Sequence, residues 1–232
     1  MGKTLIAFTT FNHVEQTREC IEYLQAAYRH ECPDILIVDD CSTDGTVDYI
    51  QPFNHITKDK RQGLTDSWNR AYKHFKQCHG YEYLLLCNND ILIPYGAIEG
   101  MQSKYPLTIP MTNKKGAGYA RQDQYITNWL TRDMNVNHPV FTQRVQNTLN
   151  KDFVDIKGWV GFCMCFSREI IKYERPDGNL FDPKNINTGN DDDIARRVKT
   201  MLALGSFVWH HKGISFGGAT TDRNNLNRNY ET

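Results

Sequence analysis

The 232-residue sequence lacks the features that first identify membrane, secreted and general nucleic-acid-binding proteins. No apolar run approaches the roughly 20 residues that span a bilayer, and the opening MGKTLIAF has no secretory apolar region or cleavage site. The 27 basic and 27 acidic side chains cancel, so no overall field would attract nucleic acid or an anionic membrane, although a local patch remains open. We expect a cytoplasmic protein without a membrane span.

The sequence also lacks the cysteine patterns of disulfide-bonded and zinc-binding proteins. Its seven cysteines are an odd number in scattered positions, and none forms a Cys-x-x-Cys pair. The closest two, Cys163 and Cys165, share one face of a predicted strand. There is no Asn-x-Ser/Thr glycosylation site either. This usage favours reduced thiols in a cytosol-like compartment.

Short apolar runs are the clearest feature that the sequence does contain. Residues 5–9, 35–38 and 83–86 are apolar and bounded by polar residues, and residues 107–111 are a fourth candidate. Such runs are typical of strands buried on both faces of a parallel sheet. We therefore predict four strands of one sheet.

Helical periodicity lies between these runs. Apolar residues recur at helical spacing over residues 14–28, where Asn12 and Glu15 resemble a capping box, and again over residues 64–75 after Gly63. Alternating strands and helices predict an α/β fold. We expect one Rossmann-like domain over residues 1–232, with a central, mostly parallel sheet flanked by helices.

Residues 112–150 interrupt the alternation. They are polar, contain Gly116 and Gly118, and have no long periodicity. We interpret them as an excursion over the active edge of the sheet, with a helical part near residues 125–130. The Asn-rich tail after Gly217-Gly218 is predicted to be loose.

Regular structure returns after residue 153. Residues 160–166 alternate as a strand does, and residues 207–210 are predicted as a last strand. Between them a helix is predicted to begin at Asn190 or Asp191 and to end at Gly205.

Four polar clusters stand at the ends of predicted elements: Asp39-Asp40, Asn88-Asn89-Asp90, Asn190-Asp191-Asp192-Asp193 and His210-His211. Taken alone, each acidic cluster is more often a turn or a helix cap than a site, and paired histidines are more often surface or core residues than ligands. Ligands of open α/β sheets bind at the carboxyl ends of the strands, so the four together indicate a site. Carboxylates combined with imidazole predict a divalent cation, with Mn²⁺ favoured over Mg²⁺.

In this order, the clusters and the residues around them resemble the family 2 glycosyltransferases of GT-A fold, particularly the bacterial and viral rhamnosyltransferase-like members. The run IVDDCSTDGT at residues 37–46 is very close to the nucleotide-binding loop of that family. Residues 8–12 resemble the first strand of the family and the turn after it, and Gln62-Gly63-Leu64 together with Asn69 resembles its Asn-x-Gly segment. Gly161-Phe162-Cys163-Met164 resembles the acceptor-side strand, and residues 210–216 resemble the terminal His segment.

Two positions depart from the family pattern. Asn88 replaces the first Asp of the metal-binding Asp-x-Asp motif, and Asn190 replaces the Glu that usually opens the block containing the base. The terminal imidazole could be that of His210 or His211. The spacing to Ser215 makes His210 the better match.

The resemblance implies a role for each matching residue. Residues 1–111 would bind the nucleotide sugar, and residues 112–232 would bind the acceptor and provide the base. Asp191 would be the catalytic base, held ionised by its helix N-terminus. The implied metal ligands are Asp90 and His210. Gly161 and Trp159 would bind the acceptor, although Trp159 fits a core aromatic equally well. The implied nucleotide-sugar ligands are Thr9, Phe11, Asp39, Gly63, Asn69, Asn88 and Asn89.

We therefore expect a metal-dependent, inverting glycosyltransferase. Its donor would be a UDP-, dTDP- or GDP-linked sugar and its acceptor a hydroxyl of a glycan or another molecule. A nucleic-acid acceptor stays open, although zero net charge counts against it. One alternative is a nucleotidyltransferase, but residues 9–12 lack the glycine-rich basic loop that binds a triphosphate. Another is a non-catalytic module that binds a nucleotide or a sugar.

Overall fold

The computed structural model describes residues 2–113 and 138–211. In these residues a mixed sheet is flanked by helices, which confirms the predicted α/β class. The strands are β1 (Thr4–Thr10), β2 (Asp34–Asp39), β3 (Asn54–Thr57), β4 (Tyr83–Asn88), β5 (Ile91–Leu92), β6 (Leu107–Thr112), β7 (Phe153–Asp155), β8 (Cys163–Ser167) and β9 (Thr200–His210). The helices are α1 (Val14–Ala27), α2 (Thr46–Ile50), α3 (Leu64–Gln77), α4 (Ala97–Met101), α5 (His138–Gln146) and α6 (Asn190–Arg197), with a 3-10 helix at Arg168–Tyr173.

The first half of the sheet is parallel and the second half is mixed. The strand order is β3-β2-β1-β4-β8-β6-β9-β5, and β7 pairs with β9. Strands β1, β2 and β4 are parallel, as their apolar runs predict, and the short strand β3, which was not predicted, is parallel to β2. Strand β8 is antiparallel to β4 and β6, and β9 is parallel to β6 but antiparallel to β5 and β7. The sheet is therefore less parallel than the sequence suggested.

Strand β1 is buried because both faces of the sheet are covered around it. In β1, Leu5 and Ala7 point into the core beneath α3, whereas Ile6 and Phe8 point into the core beneath α1. All four side chains have no solvent exposure. Two apolar layers thus fix the strands, so that their polar carboxyl ends meet along one edge.

Helix α6 and strand β9 differ from the prediction. The helix ends at Arg197, and Gly205 lies inside β9 instead of closing the helix. A Cβ at Gly205 would lie 2.8 Å from the Cα of Lys151. This glycine therefore marks a close backbone approach within a strand and not a helix end.

Helix α1 is not capped by the predicted capping box. His13 precedes the helix in a left-handed conformation and makes no side-chain cap. The carboxylate of Asp44, from the loop after β2, accepts the Val14 N–H at 3.0 Å, while Asn12 Oδ1 accepts the Thr43 N–H at 2.8 Å. The capping prediction was wrong because a distant loop satisfies the helix start.

The predicted excursion lies largely outside the described residues. Its helical part near residues 125–130 is among the undescribed positions, as is the tail after residue 211. Helix α5 at residues 138–146 was not predicted. None of the helices within the described ranges is both long and apolar enough to cross a membrane.

Candidate active site

The carboxyl ends of β1, β2 and β4 bring two of the four predicted polar clusters, Asp39-Asp40 and Asn88-Asn89-Asp90, to one edge of the sheet. Thr10 of β1 pairs with Asp39 of β2, and Thr9 pairs with Asn88 of β4. Thr9 is buried, and its hydroxyl donates to the Cys87 carbonyl at 3.3 Å. Parallel strands in register thus place the first strand between the two carboxylate-bearing loops.

The loop after β2 is held by Asp39 and Asn12. The Asp39 carboxylate is buried and accepts hydrogen bonds from the Ser42 N–H, at 3.0 Å, and from the Ser42 hydroxyl. The same hydroxyl oxygen accepts the Asn12 N–H at 2.7 Å. Asn12 and Cys41 both adopt positive φ, which non-glycine residues rarely do. The two loops are therefore fixed as one unit at this edge of the sheet.

The Asp40 carboxylate contacts the turn before α3 and not the loop that Asp39 holds. Its carboxylate accepts the N–H groups of Gln62 and Gly63, at 2.7 and 2.8 Å, and lies 2.7 Å from the Lys58 ammonium. The Lys58 side chain has no solvent exposure and also lies 3.1 Å from Asp66. This buried ion triad fixes the turn that leads into α3.

Phe11, predicted to line the nucleotide cleft, lies beneath a guanidinium group. The Arg61 Cζ atom stands 3.8 Å from the centre of the Phe11 ring. Such a contact attracts a cation to the face of an aromatic ring. This contact joins the end of β1 to the turn before α3.

The three polar residues that end β4 have different environments. The Asn89 amide is buried and donates to the hydroxyls of Thr10 and Thr17, at 3.1 and 2.9 Å, so it ties β1 to α1. The Oδ1 atoms of Asn88 and Asp90 are buried and have no hydrogen-bond partner within the described residues. A buried oxygen without a partner is costly unless a ligand completes it.

His210 lies next to Asp90. Its Nε2 atom is 3.4 Å from Asp90 Oδ1, and its ring stacks on Phe162 with centroids 4.6 Å apart. The His211 ring lies instead near Glu19, with 3.8 Å between Nε2 and Oε2, while its backbone N–H donates to the Asp90 carbonyl. Of the two histidines, His210 is therefore the one whose imidazole faces the Asp90 carboxylate.

Asp90 and His210 fit the metal that the sequence predicts. A carboxylate oxygen and an imidazole nitrogen suit Mn²⁺, and the buried Oδ1 of Asp90 lacks the hydrogen bond that would otherwise satisfy it. In the described residues no cluster of three or more His, Cys, Asp or Glu side chains could hold a metal. Further ligands would have to come from elsewhere, such as a bound diphosphate.

Asp191 begins the first turn of α6 and faces the loop before β8. Its Oδ2 accepts the Gly161 N–H at 3.3 Å, and its Oδ1 accepts the Asp192 N–H at 3.0 Å. A Cβ at Gly161 would lie 3.4 Å from the Asp191 Cβ and 3.2 Å from Trp68. The distance to Asp191 is an ordinary contact, so a side chain at position 161 would crowd Trp68 more than it would crowd the carboxylate.

The pKa of Asp191 is raised, chiefly because burial disfavours the charged form, while the hydrogen bonds from Gly161 and Asp192 lower it in part. The helix start was expected to favour the ionised form. The actual direction is the opposite because desolvation outweighs those favourable contacts. A carboxyl with a raised pKa takes up a proton more readily than an ordinary aspartate.

A cavity of about 260 Å³ adjoins Asp191. Trp159 lines it but is only 4% exposed and packs in the core beneath α3, so most of the ring is a core aromatic and only an edge can meet a ligand. Gly161 is not among the lining residues. The lining comprises Ile156, Lys157, Gly158, Trp159, Asp191, Asp192, Ala195 and Arg196.

Short contacts connect Asp191 to the Asp90–His210 pair. Asp191 bonds to Gly161, and the ring of the next residue, Phe162, stacks on His210. The Phe162 carbonyl accepts the Asn88 N–H at 2.9 Å, which ties the same loop to the end of β4. The three residues predicted to carry the chemistry thus lie along one edge.

Two predicted ligands are engaged within the protein. Both polar ends of the Asn69 amide are used: Oδ1 accepts the N–H groups of Leu180 and Phe181, and Nδ2 donates to the Phe181 carbonyl at 3.0 Å. Gly63 is buried against Ile186, where a Cβ would lie 2.5 Å from Cγ2. Both residues hold the segment before α6 against α3.

Sequence reasoning missed Lys58 and Thr65. Lys58 stands one residue after a short strand and has no local signal that marks it as buried. Thr65 contacts the start of α6, about 120 residues away in sequence. Only the tertiary fold shows either role.

A mixed sheet flanked by helices, with polar residues at the carboxyl ends of its parallel strands, matches the fold of the GT-A glycosyltransferases. Residues 6–173 match the family described as Glycosyl transferase family 2. The chain therefore belongs to glycosyl transferase family 2. A search of curated proteins gives no match.

Solved structures share the fold. The chain is similar to GalNAc-T7 with UDP, GalNAc and Mn²⁺ (TM-score 0.61, 10% identity) and to the mannosyltransferase PcManGT from Pyrobaculum calidifontis with GDP-Man and Mn²⁺ (0.56, 14%). It is also similar to glucosyl-3-phosphoglycerate synthase from Mycobacterium tuberculosis with Mn²⁺, uridine-diphosphate and phosphoglyceric acid (0.50, 10%). The matches cover 90, 92 and 91% of this chain, which spans 44, 59 and 71% of theirs.

Proposed function

We propose that the protein is a metal-dependent, inverting glycosyltransferase that moves a sugar from a nucleotide-diphospho donor to a hydroxyl acceptor. The observation that carries the proposal is the arrangement of Asp90, His210 and Asp191 along one edge of the sheet, linked through the loop before β8. Family membership and the Mn²⁺ and nucleotide complexes of the similar structures support it.

In this proposal the first half of the chain binds the donor. Asp39 accepts hydrogen bonds from the nucleoside, Thr9 and Phe11 line its cleft, and Asn88 and Asn89 close the end of β4. Asp90 and His210 would hold a divalent cation, favouring Mn²⁺. When bound, the cation supplies Lewis-acid stabilisation of the negative charge on the leaving diphosphate.

The cavity beside Asp191 is the proposed acceptor site. There the Asp191 carboxylate takes the proton of the acceptor hydroxyl as that oxygen bonds to the anomeric carbon. The bond from this carbon to the diphosphate oxygen breaks at the same time, and its electron pair leaves with the diphosphate. A single displacement from the opposite face inverts the anomeric configuration. The raised pKa of Asp191 suits the carboxylate to accept a proton.

The substrates belong to the proposal. The donor is a UDP-, dTDP- or GDP-linked sugar, and the resemblance to rhamnosyltransferase-like members places dTDP-rhamnose among the donors to test. The acceptor is a glycan or another molecule with a hydroxyl, a nucleic acid included. We propose a cytoplasmic location and a division at about residue 111 between donor and acceptor halves of one domain.

The test is a panel of UDP-, dTDP- and GDP-linked sugars with Mn²⁺. We expect one class of donor to raise the melting temperature and to release free nucleoside diphosphate, with both effects lost on chelation. A nucleotidyltransferase would instead consume a nucleoside triphosphate and a sugar phosphate and release pyrophosphate. A non-catalytic module would show the thermal shift without release. Either of the last two outcomes would refute the proposal.

A further inference from the structure

The segment before α6 docks on the first turn of α3. The Leu64 N–H donates to Asn187 Oδ1 and the Thr65 N–H donates to the Ile186 carbonyl, both at 3.0 Å. The first N–H groups of a helix have no partner within the helix, so this segment satisfies them. Gly63 permits the approach, since a Cβ there would lie 2.8 Å from the Ile186 carbonyl oxygen.

The side chains of Thr65 and Asn190 complete this contact. Thr65 is 1% and Asn190 2% exposed, and the Thr65 hydroxyl oxygen lies 2.7 Å from Asn190 Oδ1. The same hydroxyl also contacts the Asn185 carbonyl. Asn190 is the first residue of α6 and directly precedes Asp191. The hydroxyl–amide pair therefore fixes the helix start that presents the carboxylate.

Asn190 stands where the family usually has a glutamate, and the two side chains differ in the hydrogen bonds they can make. The Thr65 hydroxyl has two acceptors, Asn190 Oδ1 and the Asn185 carbonyl. The amide of Asn190 combines this acceptor with an NH₂ donor. A carboxylate offers acceptors alone, and leaving a buried acceptor unmatched is costly.

The same turn is held from its other side by the nucleotide loop. Asp40 accepts the N–H groups of Gln62 and Gly63, and Lys58 donates to the Gly63 carbonyl at 3.2 Å. The strand end that bears Asp39 and the helix start that bears Asp191 are thus connected through one buried turn.

We propose that Thr65 and Asn190 are positioning residues that set the orientation of Asp191 towards the acceptor cavity. The proposal rests on Asp191 as the base of the proposed function. Neither side chain touches the reacting atoms. Their effect is on where the Asp191 carboxylate stands when the acceptor hydroxyl approaches.

Thr65→Val tests the pair because it removes the hydroxyl and keeps the branched shape. Thr65→Ser keeps the hydroxyl. Thr108→Val is the matched control: Thr108 of β6 is equally buried, and its hydroxyl donates to the Met101 carbonyl at 2.7 Å. UDP-glucose, dTDP-rhamnose and GDP-mannose with Mn²⁺ are the probes. The measurements are diphosphate release as kcat and KM, its pH profile, and calorimetric binding of the matching nucleoside diphosphate.

We expect Thr65→Val to lower kcat by about tenfold or more, because small misplacements of a catalytic group reduce rates by up to about 10²-fold. The acid limb of the pH profile should move, and nucleoside diphosphate binding should not change. Thr65→Ser and Thr108→Val should keep kcat. Equal kcat values for Thr65→Val and Thr108→Val would overturn the inference and leave the proposed function intact.

A second measurement separates the two proposals. If the wild-type protein releases diphosphate from no donor, the proposed function fails. Hydrogen exchange then still tests the contact itself. Faster exchange of the α6 amides in Thr65→Val than in Thr108→Val supports the pair as the element that fixes the helix start. Equal exchange in the two variants overturns it.

Discussion

His210 Nε2 lies 3.4 Å from Asp90 Oδ1, which joins the end of β9 to the carboxylate that follows β4. The two residues are 120 positions apart in sequence, and β5 brings them together by pairing Ile91 with His210. The Phe162 ring covers the imidazole from one side. The imidazole is therefore held in place by both the backbone ladder and an aromatic stack.

Replacing Asp90 by Asn should remove the metal-dependent part of ligand binding. The amide keeps the shape but loses the charge that attracts a divalent cation. We expect nucleoside diphosphate to raise the melting temperature of the wild type more with Mn²⁺ than with chelator, and the variant to show no such difference. His210→Ala should act in the same way, whereas His74→Ala on α3 is the control. A full Mn²⁺ effect in both site variants would contradict the assignment.

Replacing Asp191 by Asn should abolish turnover and spare donor binding. General-base catalysis contributes about 10²–10⁴-fold, so kcat should fall by a factor in that range. The Kd for the nucleoside diphosphate with Mn²⁺ should stay the same. In the wild type, kcat should also fall as the pH drops through the raised pKa of Asp191, because the base becomes protonated. A variant that retains turnover would contradict the assignment.

The same variant should be at least as stable as the wild type at neutral pH. The pKa of Asp191 is higher in the folded state than its ordinary value of 3.8, so between the two values the folded state binds more protons than the unfolded state. The stability contributed by this group therefore falls as pH rises through that window. The melting temperatures of the wild type and of Asp191→Asn should differ above this pH window and should agree below about pH 3.8. A less stable Asp191→Asn at neutral pH would contradict this.

Replacing Lys58 by Met should destabilise the fold by about 3–5 kcal/mol, because it leaves the buried Asp40 carboxylate without its counter-charge. Urea denaturation of the variant measures the change. Lys172→Met is the control, since Lys172 and its partner Glu169 are both exposed and such pairs contribute about 0–1 kcal/mol. An equal loss in the free energy of unfolding for the two substitutions would contradict the stabilising role assigned to Lys58.

Replacing Gly63 by Ala should cost more stability than replacing Gly178 by Ala. Both glycines have positive φ, at 87° and 77°, so both variants carry backbone strain of about 1–3 kcal/mol. Only at Gly63 would the new Cβ meet Ile186, at 2.5 Å, whereas at Gly178 nothing lies within 4 Å. The difference in free energy of unfolding isolates the clash. Diphosphate release should fall only in Gly63→Ala.

The sequence predicted those parts of the fold that depend on local patterns. The apolar runs predicted β1, β2 and β4 because the sheet is covered on both faces there. The helical spacing of apolar residues alone predicted α3. The sequence did not predict the mixed strand directions in the second half of the sheet. Gly205 fits a helix end as well as a strand interior, and only the neighbouring Lys151 backbone decides between them.

The sequence pointed to polar residues that the fold brings together, but it did not show which contacts each of them makes. Asp39 and Asp40 are identical neighbours, but Asp39 ends β2 and accepts hydrogen bonds from Ser42, whereas Asp40 follows the strand and accepts them from the turn before α3. The sequence cannot show that Lys58 and the turn before α3 occupy Asp40. Likewise, the amide of Asn69 looks like a ligand in sequence, and only the fold shows it bonded to residues 180 and 181.

Only Val198 and Lys199 separate α6 from β9, so Asp191, the proposed base, and His210, the proposed metal ligand, belong to one continuous helix–strand unit. Any rigid shift of that unit moves both groups together, whereas the loops after β1 and β2 can change without it. Exchange of residues 190–210 as a block between related enzymes should therefore transplant both groups in their mutual geometry. Nucleotide preference should stay with the recipient.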